Sequence, residues 1–181
     1  MKEYYEGLIA SAGATGAGLR KLRDLTDPMV LEMLNYWYAK RGERLMPSPS
    51  DMNPVDFARH MPHLMMIQVD HDPFMLTYRL VGEEVAHSHG VNLRGRPVLD
   101  VNERAPHLGA VLHELYKAVA ALRRPVGVGG NMKFAGRGHM TFEAAYMPLS
   151  VDGERTDRIF TATSYRPLSV AERFATEMAE A

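Results

Sequence analysis

The chain is 181 residues long, with 46% hydrophobic and 24% charged residues, a formal net charge of −1 and no cysteine. That supports one domain with a core of its own but gives no basic footprint for nucleic acid or an anionic membrane surface. Disulfides, thiolate nucleophiles, iron–sulfur clusters and cysteine-bound zinc are excluded together. No apolar run approaches the ~20 residues of a membrane span, and the stretch after Met1 is too short for a secretory signal, so a soluble, cytoplasmic protein is expected.

Residues 1–26 read as a flexible extension or weak helix. Gly13, Gly16 and Gly18 lack a preceding strand, and their spacing is the reverse of a dinucleotide fingerprint. A helix is predicted over 27–42, with Thr26 or Asp27 as its cap, Pro28 in its first turn and Gly42 as its stop. Its stripe of Val30, Leu31, Leu34, Trp37 and Tyr38 must be buried on a sheet face or on a partner chain. Leu34, Trp37 and Tyr38 are the expected dimer contact.

A Pro/Ser-rich loop follows, then a helical turn from Asn53-Pro54 to Met61-Pro62. Strands at 64–69 and 74–81, joined by the turn "DHDP", predict a hairpin. Residues 83–102 hold short helical or irregular pieces punctuated by Gly90, Gly95 and Pro97. Leu108, Val111, Leu112, Leu115, Val119 and Leu122 form one stripe along a long helix from about 105 to 123. Three more strands, at 125–134, 139–149 and 157–166, are separated by "AGRG" and "VDGE", and a short helix ends the chain at 168–181. The thirteen methionines suit an adaptable interior or simple core filling; Met61, Met65 and Met66 are expected in the core. The resulting class is α+β, a five-stranded antiparallel sheet with helices on one face, plus the amphipathic N-terminal helix and the short C-terminal one.

Several residues in this order have a familiar arrangement: Trp37 with Arg41-Gly42, Pro47, Asn53-Pro54, "MPHL" at 61–64, "YRLVG" at 78–82, Gly90, "LRGRPVLD" at 93–100 and Pro148-Leu149. The set resembles the PAS domain family, and within it small bacterial cytoplasmic PAS proteins with an N-terminal helix. The resemblance runs over roughly residues 27–167, leaving a PAS domain at 43–167 behind the N-terminal helix. It implies a sheet cupped by helices around a small-molecule cavity and a regulatory role. It implies no agreed ligand and no catalytic residues.

Within that frame, Arg79 is the most unexpected residue, a guanidinium inside a strand. It demands a carboxylate such as Glu143, Glu83 or Glu84, or else an anionic ligand. Alternation sets Thr77, Arg79 and Val81 on one strand face and Leu76, Tyr78 and Leu80 on the other. Tyr116, Tyr146 and Tyr165 sit in apolar runs with hydroxyls that need partners. The expected ligand-binding set is Arg79, Tyr78, His87, Tyr116, Tyr146 and Tyr165. On a helix His87 and His89 point about 200° apart, so no shared metal site is expected.

Haem sensors of the resembling family often take an axial histidine from the long helix. Here that helix offers His107 at the flank of the stripe and His113 about 150° from its centre, neither well aimed. Haem and flavin therefore stay open without being favoured, and a cysteinyl-flavin adduct is excluded. Arg94 and Arg96 read as surface residues on a tight turn. No nucleophile elbow is present, Glu83 and Glu84 point apart, and Pro62 spoils a shared helix face for His60 and His63.

No enzyme is expected. The reading is a sensory or regulatory module that binds a small molecule, a regulatory protein partner or both, as a homodimer. The alternatives are a ligand-free dimerisation module or scaffold and, behind it, a metal-dependent enzyme.

Overall fold

A computed structural model describes residues 17–90, 92–103, 108–133 and 136–180. Among the described residues six strands form one sheet in the order β1-β4-β5-β6-β2-β3, antiparallel at every pairing. They are β1 (Ala17–Arg20), β2 (Leu64–His71), β3 (Phe74–Val81), β4 (Val126–Met132), β5 (Arg137–Leu149) and β6 (Arg158–Pro167). The helices are α1 (Pro28–Arg41), α2 (Glu83–His89), α3 (Leu108–Leu122) and α4 (Val170–Glu180). None of the described helices is long and apolar enough to cross a membrane.

β5 shows why the sheet is covered on both faces. It is long, central and apolar throughout its second half, so both of its side-chain rows must be buried. Phe142, Ala144 and Tyr146 enter one core with Met65, Ile67, Ile159 and Val128. Ala145, Met147 and Leu149 enter the other with Leu64, Phe160 and Ala162. α3 lies over β5 and β6 on the first face, as expected of a helix with one apolar stripe.

The second face is covered by α1, so of the two burial partners expected for its stripe, a sheet face or a partner chain, the helix takes the sheet face. Asp27 caps α1, its carboxylate accepting from Met29 N and Val30 N at 3.0 and 3.1 Å. Glu143 on β5 anchors the same end by accepting from the Thr26 and Asp27 backbone amides and the Thr26 hydroxyl. Val30, Met33, Leu34 and Trp37 are then buried against β5 and β6. Trp37 is 0% exposed, and its indole Nε1 donates to the Pro148 carbonyl at 2.8 Å. The dimer contact expected of Leu34, Trp37 and Tyr38 is therefore corrected. Leu34 and Trp37 are committed to the helix's own sheet, and only Tyr38 reaches the surface.

β1 is a second correction. Residues 17–20, read as part of a flexible extension, pair with β4 as the sheet's sixth strand, Ala17 opposite Gly130 and Leu19 opposite Val128. Gly127 makes room for it, since a Cβ there would lie 2.9 Å from the Arg20 carbonyl oxygen.

A third concerns β3. Met66 pairs with Leu80 and Ile67 with Tyr78, so Arg79 is an extra residue in a β-bulge. The bulge breaks the alternation. Leu76, Tyr78 and Val81 belong to the first face and Leu80 to the second, while Arg79 is exposed.

The family-like motifs have local causes. A Cβ at Gly82 would overlap the Pro62 carbonyl, so the end of "YRLVG" has to be glycine for the 61–62 backbone to pass. The turn at 93–97 covers the free edge of β3: Tyr78 N donates to Arg96 O and Gly95 N to Tyr78 O. That leaves Arg94 exposed while Leu93 and Val98 are buried. α4 begins with a reciprocal cap between Ser169 and Glu172 and leaves Val170, Phe174 and Met178 on the surface.

Candidate functional site

Between the first face of the sheet and α3 is a cavity of about 70 Å³. The strand register builds its floor in cross-strand rows. Leu19, Val128, Ala144 and Thr163 form one row; Ala17, Gly130, Phe142 and Tyr165 form the next; Tyr146, Thr161 and Met65 lie in a third. The stripe of α3 supplies Leu108, Val111, Leu112, Leu115 and Tyr116, and α2 adds His89. The cavity wall is apolar apart from the hydroxyls of Tyr116, Tyr146, Thr163 and Tyr165 and the His89 ring.

Two of these wall groups, the Tyr116 and Thr163 hydroxyls, lack a regular hydrogen bond. Among the described residues the hydroxyls of Tyr78, Tyr116, Thr161 and Thr163 are buried without a hydrogen bond, a condition that costs about 1–3 kcal/mol per group. Two further orphans, His63 Nδ1 and Gln68 Oε1, belong to half-buried side chains elsewhere. Tyr116 meets Tyr146 edge to face with centroids 5.5 Å apart. Burial drives the hydroxyls of Tyr78, Tyr116, Tyr146 and Tyr165 well above the usual phenol range, so all four stay protonated.

His89 is the acceptor of the group. Its Nδ1 lies 2.9 Å from the Val85 carbonyl, which can only accept, so Nδ1 carries the proton. Burial holds the imidazole below its ordinary value of 6.5, helped by the charge of Arg137 and opposed by the Val85 bond. The neutral ring with Nδ1–H leaves Nε2 as a lone-pair acceptor.

The sequence-derived set divides accordingly. Tyr116, Tyr146 and Tyr165 line the cavity, and Tyr78 is buried in the same core without lining it. Arg79 and His87 do not belong there. Arg79 is exposed, with no hydrogen bond or ion pair to a described residue, and Glu143, one of its expected partners, is occupied at the start of α1. His87 is exposed too, and its backbone carbonyl takes a 2.9 Å bond from Arg137. His113 faces away from the cavity, beside Glu114 and Phe74, and His107 lies outside the described residues.

The missed residues are His89, Thr163 and the wall formed by Ala17 and Leu19. His89 was within reach: it is four residues after Val85, on the one buried face of α2, whereas His87 is on the other. Among the described residues no three His, Asp or Glu side chains gather as a metal site. A haem or flavin ring exceeds the present cavity.

A larger cleft of about 390 Å³ opens on the second face beside Arg20, Glu143 and Arg166. Its charges largely satisfy one another: Glu143 holds the start of α1, and Arg166 clamps Glu172 through two bonds of 2.8 and 2.7 Å. The smaller cavity, with its unmet hydroxyls, is therefore the candidate site.

No curated protein and no solved structure matches this chain. A family model described as the PAS domain matches residues 25–164, from the turn before α1 almost to the end of β6. β1, which walls one side of the cavity, falls outside that match. The matched region takes in well over half of the chain, including the α3 roof and nearly all of the sheet beneath it, so the chain belongs to the PAS domain family.

Proposed function

We propose that this protein is a sensory or regulatory module in signal transduction, acting by binding and not by catalysis. A small molecule occupies the cavity, and occupancy changes the contacts the domain makes with a regulatory protein partner. The observation that carries this reading is a void whose wall includes the buried Tyr116 and Thr163 hydroxyls, neither of which makes a regular hydrogen bond.

A guest has a direct route to the rest of the chain. Ala17 and Leu19 touch the cavity from an edge strand whose described part covers four residues, opposite a β4 whose Gly127, Gly129 and Gly130 give it little side-chain support. Such a strand belongs to the low-stability end of a fold. A ligand that contacts it adds free energy only to the docked state and so shifts the population toward docking.

A ligand-shift melting screen and native mass spectrometry on the purified protein test this. The expected result is a copurified or stabilising small molecule together with slower amide exchange in residues 17–20. Absence of any stabilising molecule would overturn it. The second reading, a dimerisation module or scaffold, draws on the exposed row of Val170, Phe174 and Met178 on α4. Under that reading light scattering gives a dimer that Phe174→Glu separates, with no ligand involved.

A further inference from the structure

We infer that the cavity selects a small, uncharged, mostly apolar molecule carrying one hydroxyl head, with Tyr116, Thr163 and His89 as its polar contacts. This rests on the reading of the cavity as a sensing site.

The first support is the absence of charge. Of the cavity's lining residues none is Asp, Glu, Lys or Arg, and Arg137, whose charge acts on His89 and Tyr165, is directed to the His87 carbonyl. A carboxylate, phosphate or ammonium in this space would be buried without a counter-charge, which costs far more than its contacts return. The titratable wall groups are themselves held neutral by burial, the tyrosines protonated and His89 unprotonated at Nε2.

The second is the pairing of needs. The Tyr116 and Thr163 hydroxyls make no regular hydrogen bond and each has one neighbouring hydroxyl, that of Thr161 and of Tyr165, whereas the neutral His89 on the same wall keeps a lone pair on Nε2. A ligand carbonyl can answer only the donors and a ligand amine chiefly the acceptor. A hydroxyl both donates and accepts, so it can answer either. The third is the distribution of carbon. Leu108, Val111, Leu112 and Leu115 with Leu19 and Val128 offer no polar atom, so the rest of the guest has to be hydrocarbon. At about 70 Å³ the space takes a guest of a few heavy atoms up to one small ring, compared with about 150 Å³ for a dry cavity that accepts benzene, the ring requiring some side-chain adjustment.

The test uses phenol, toluene and benzoate, which share one ring and differ in their heads, in calorimetric titrations at neutral pH against the full chain and its Tyr116→Phe and Thr163→Val variants. Both replacements keep shape, and amide NMR spectra confirm that each variant folds. Phenol is expected to bind tighter than toluene, and benzoate not at all. Each variant should weaken phenol about tenfold while leaving toluene unchanged. If benzoate matches or exceeds phenol, or if neither variant affects phenol, the proposed class is overturned although the cavity still binds. If neither phenol nor toluene binds and the ligand-shift screen is empty as well, the sensing reading falls with it.

Discussion

Under α1, the buried Trp37 donates its indole Nε1 to the Pro148 carbonyl at 2.8 Å, and its neighbours Leu64, Ala145, Met147 and Phe160 are wholly or almost wholly buried. Under α3, on the other face of the same strands, the buried hydroxyls of Tyr116 and Thr163 line a cavity without a regular hydrogen bond among the described residues. The two cores alternate residue by residue along β5, so strand geometry and sheet register are shared and cannot explain the difference. What differs is whether side chains fill the space above. Interiors normally close on themselves, and an interior that leaves several hydroxyls unmet gives up stability for something it can gain back from a guest.

The largest break in that comparison is on the closed side. Trp37→Ala removes a fully buried indole and strands the Pro148 carbonyl, with an expected loss of about 3–5 kcal/mol. Urea denaturation with the m-value held against the parent measures it. The effect should be on folding, with no change in oligomeric state at concentrations where the variant is still folded.

A sharper contrast deletes one hydrogen-bonded hydroxyl and one unmet hydroxyl. The Thr156 hydroxyl donates to the Ala120 carbonyl at 2.9 Å, so Thr156→Val should destabilise by about 1 kcal/mol. Tyr116→Phe removes a hydroxyl that makes no regular hydrogen bond and has the Thr161 hydroxyl beside it, so without ligand it should cost less than Thr156→Val or be neutral. Equal losses in both variants, by the same denaturation experiment, would erase the distinction between the met and the unmet hydroxyl.

Much of this could be read in the chain, and the failures have physical reasons. The stripe of α3 repeats over four turns, and β5 is long enough for its pattern to be unambiguous, so the sheet with a helix across it was legible. Trp37 was recognised as a residue that must be buried, but an apolar stripe looks the same whether it faces its own sheet or a second chain. The described part of β1 covers four residues, and its partner strand is glycine-rich, so no pairing pattern marks it. Arg79 was judged by alternation, which a single bulge inverts. His89 is masked by its neighbour: its four-residue spacing from Val85 marks the buried face of α2, whereas the HxH pattern suggests two equivalent histidines.

His89 also gives the open face a pH signature. Burial lowers its pKa below the ordinary 6.5. Above that value the ring is neutral in both folded and unfolded chains, and no penalty exists. As pH falls through 6.5 toward the lower folded value, the unfolded chain takes up the proton first, so stability declines in that window. Denaturant midpoints between pH 7.5 and 5 should therefore fall in the parent, and His89→Gln should flatten the slope.

The smallest effect belongs to neither core. Glu172 accepts from Ser169 N and pairs with Arg166 at the start of α4. The Arg166 guanidinium first, and the Ser169 amide after it, hold its carboxyl well below the ordinary 4.5. The stabilisation is fully present above 4.5 and is lost as pH falls through the depressed folded value, the opposite end of the acid range from His89. Because this pair stands in water, salt and solvent screen it, so Glu172→Gln should leave the global denaturation midpoint almost unchanged. It should speed amide exchange only in the first turn of α4, and phenol binding should not change. A shift of the global midpoint as large as that of Thr156→Val would mean that α4 is coupled to the two cores, and the comparison between the faces would then have to include the helix that follows β6.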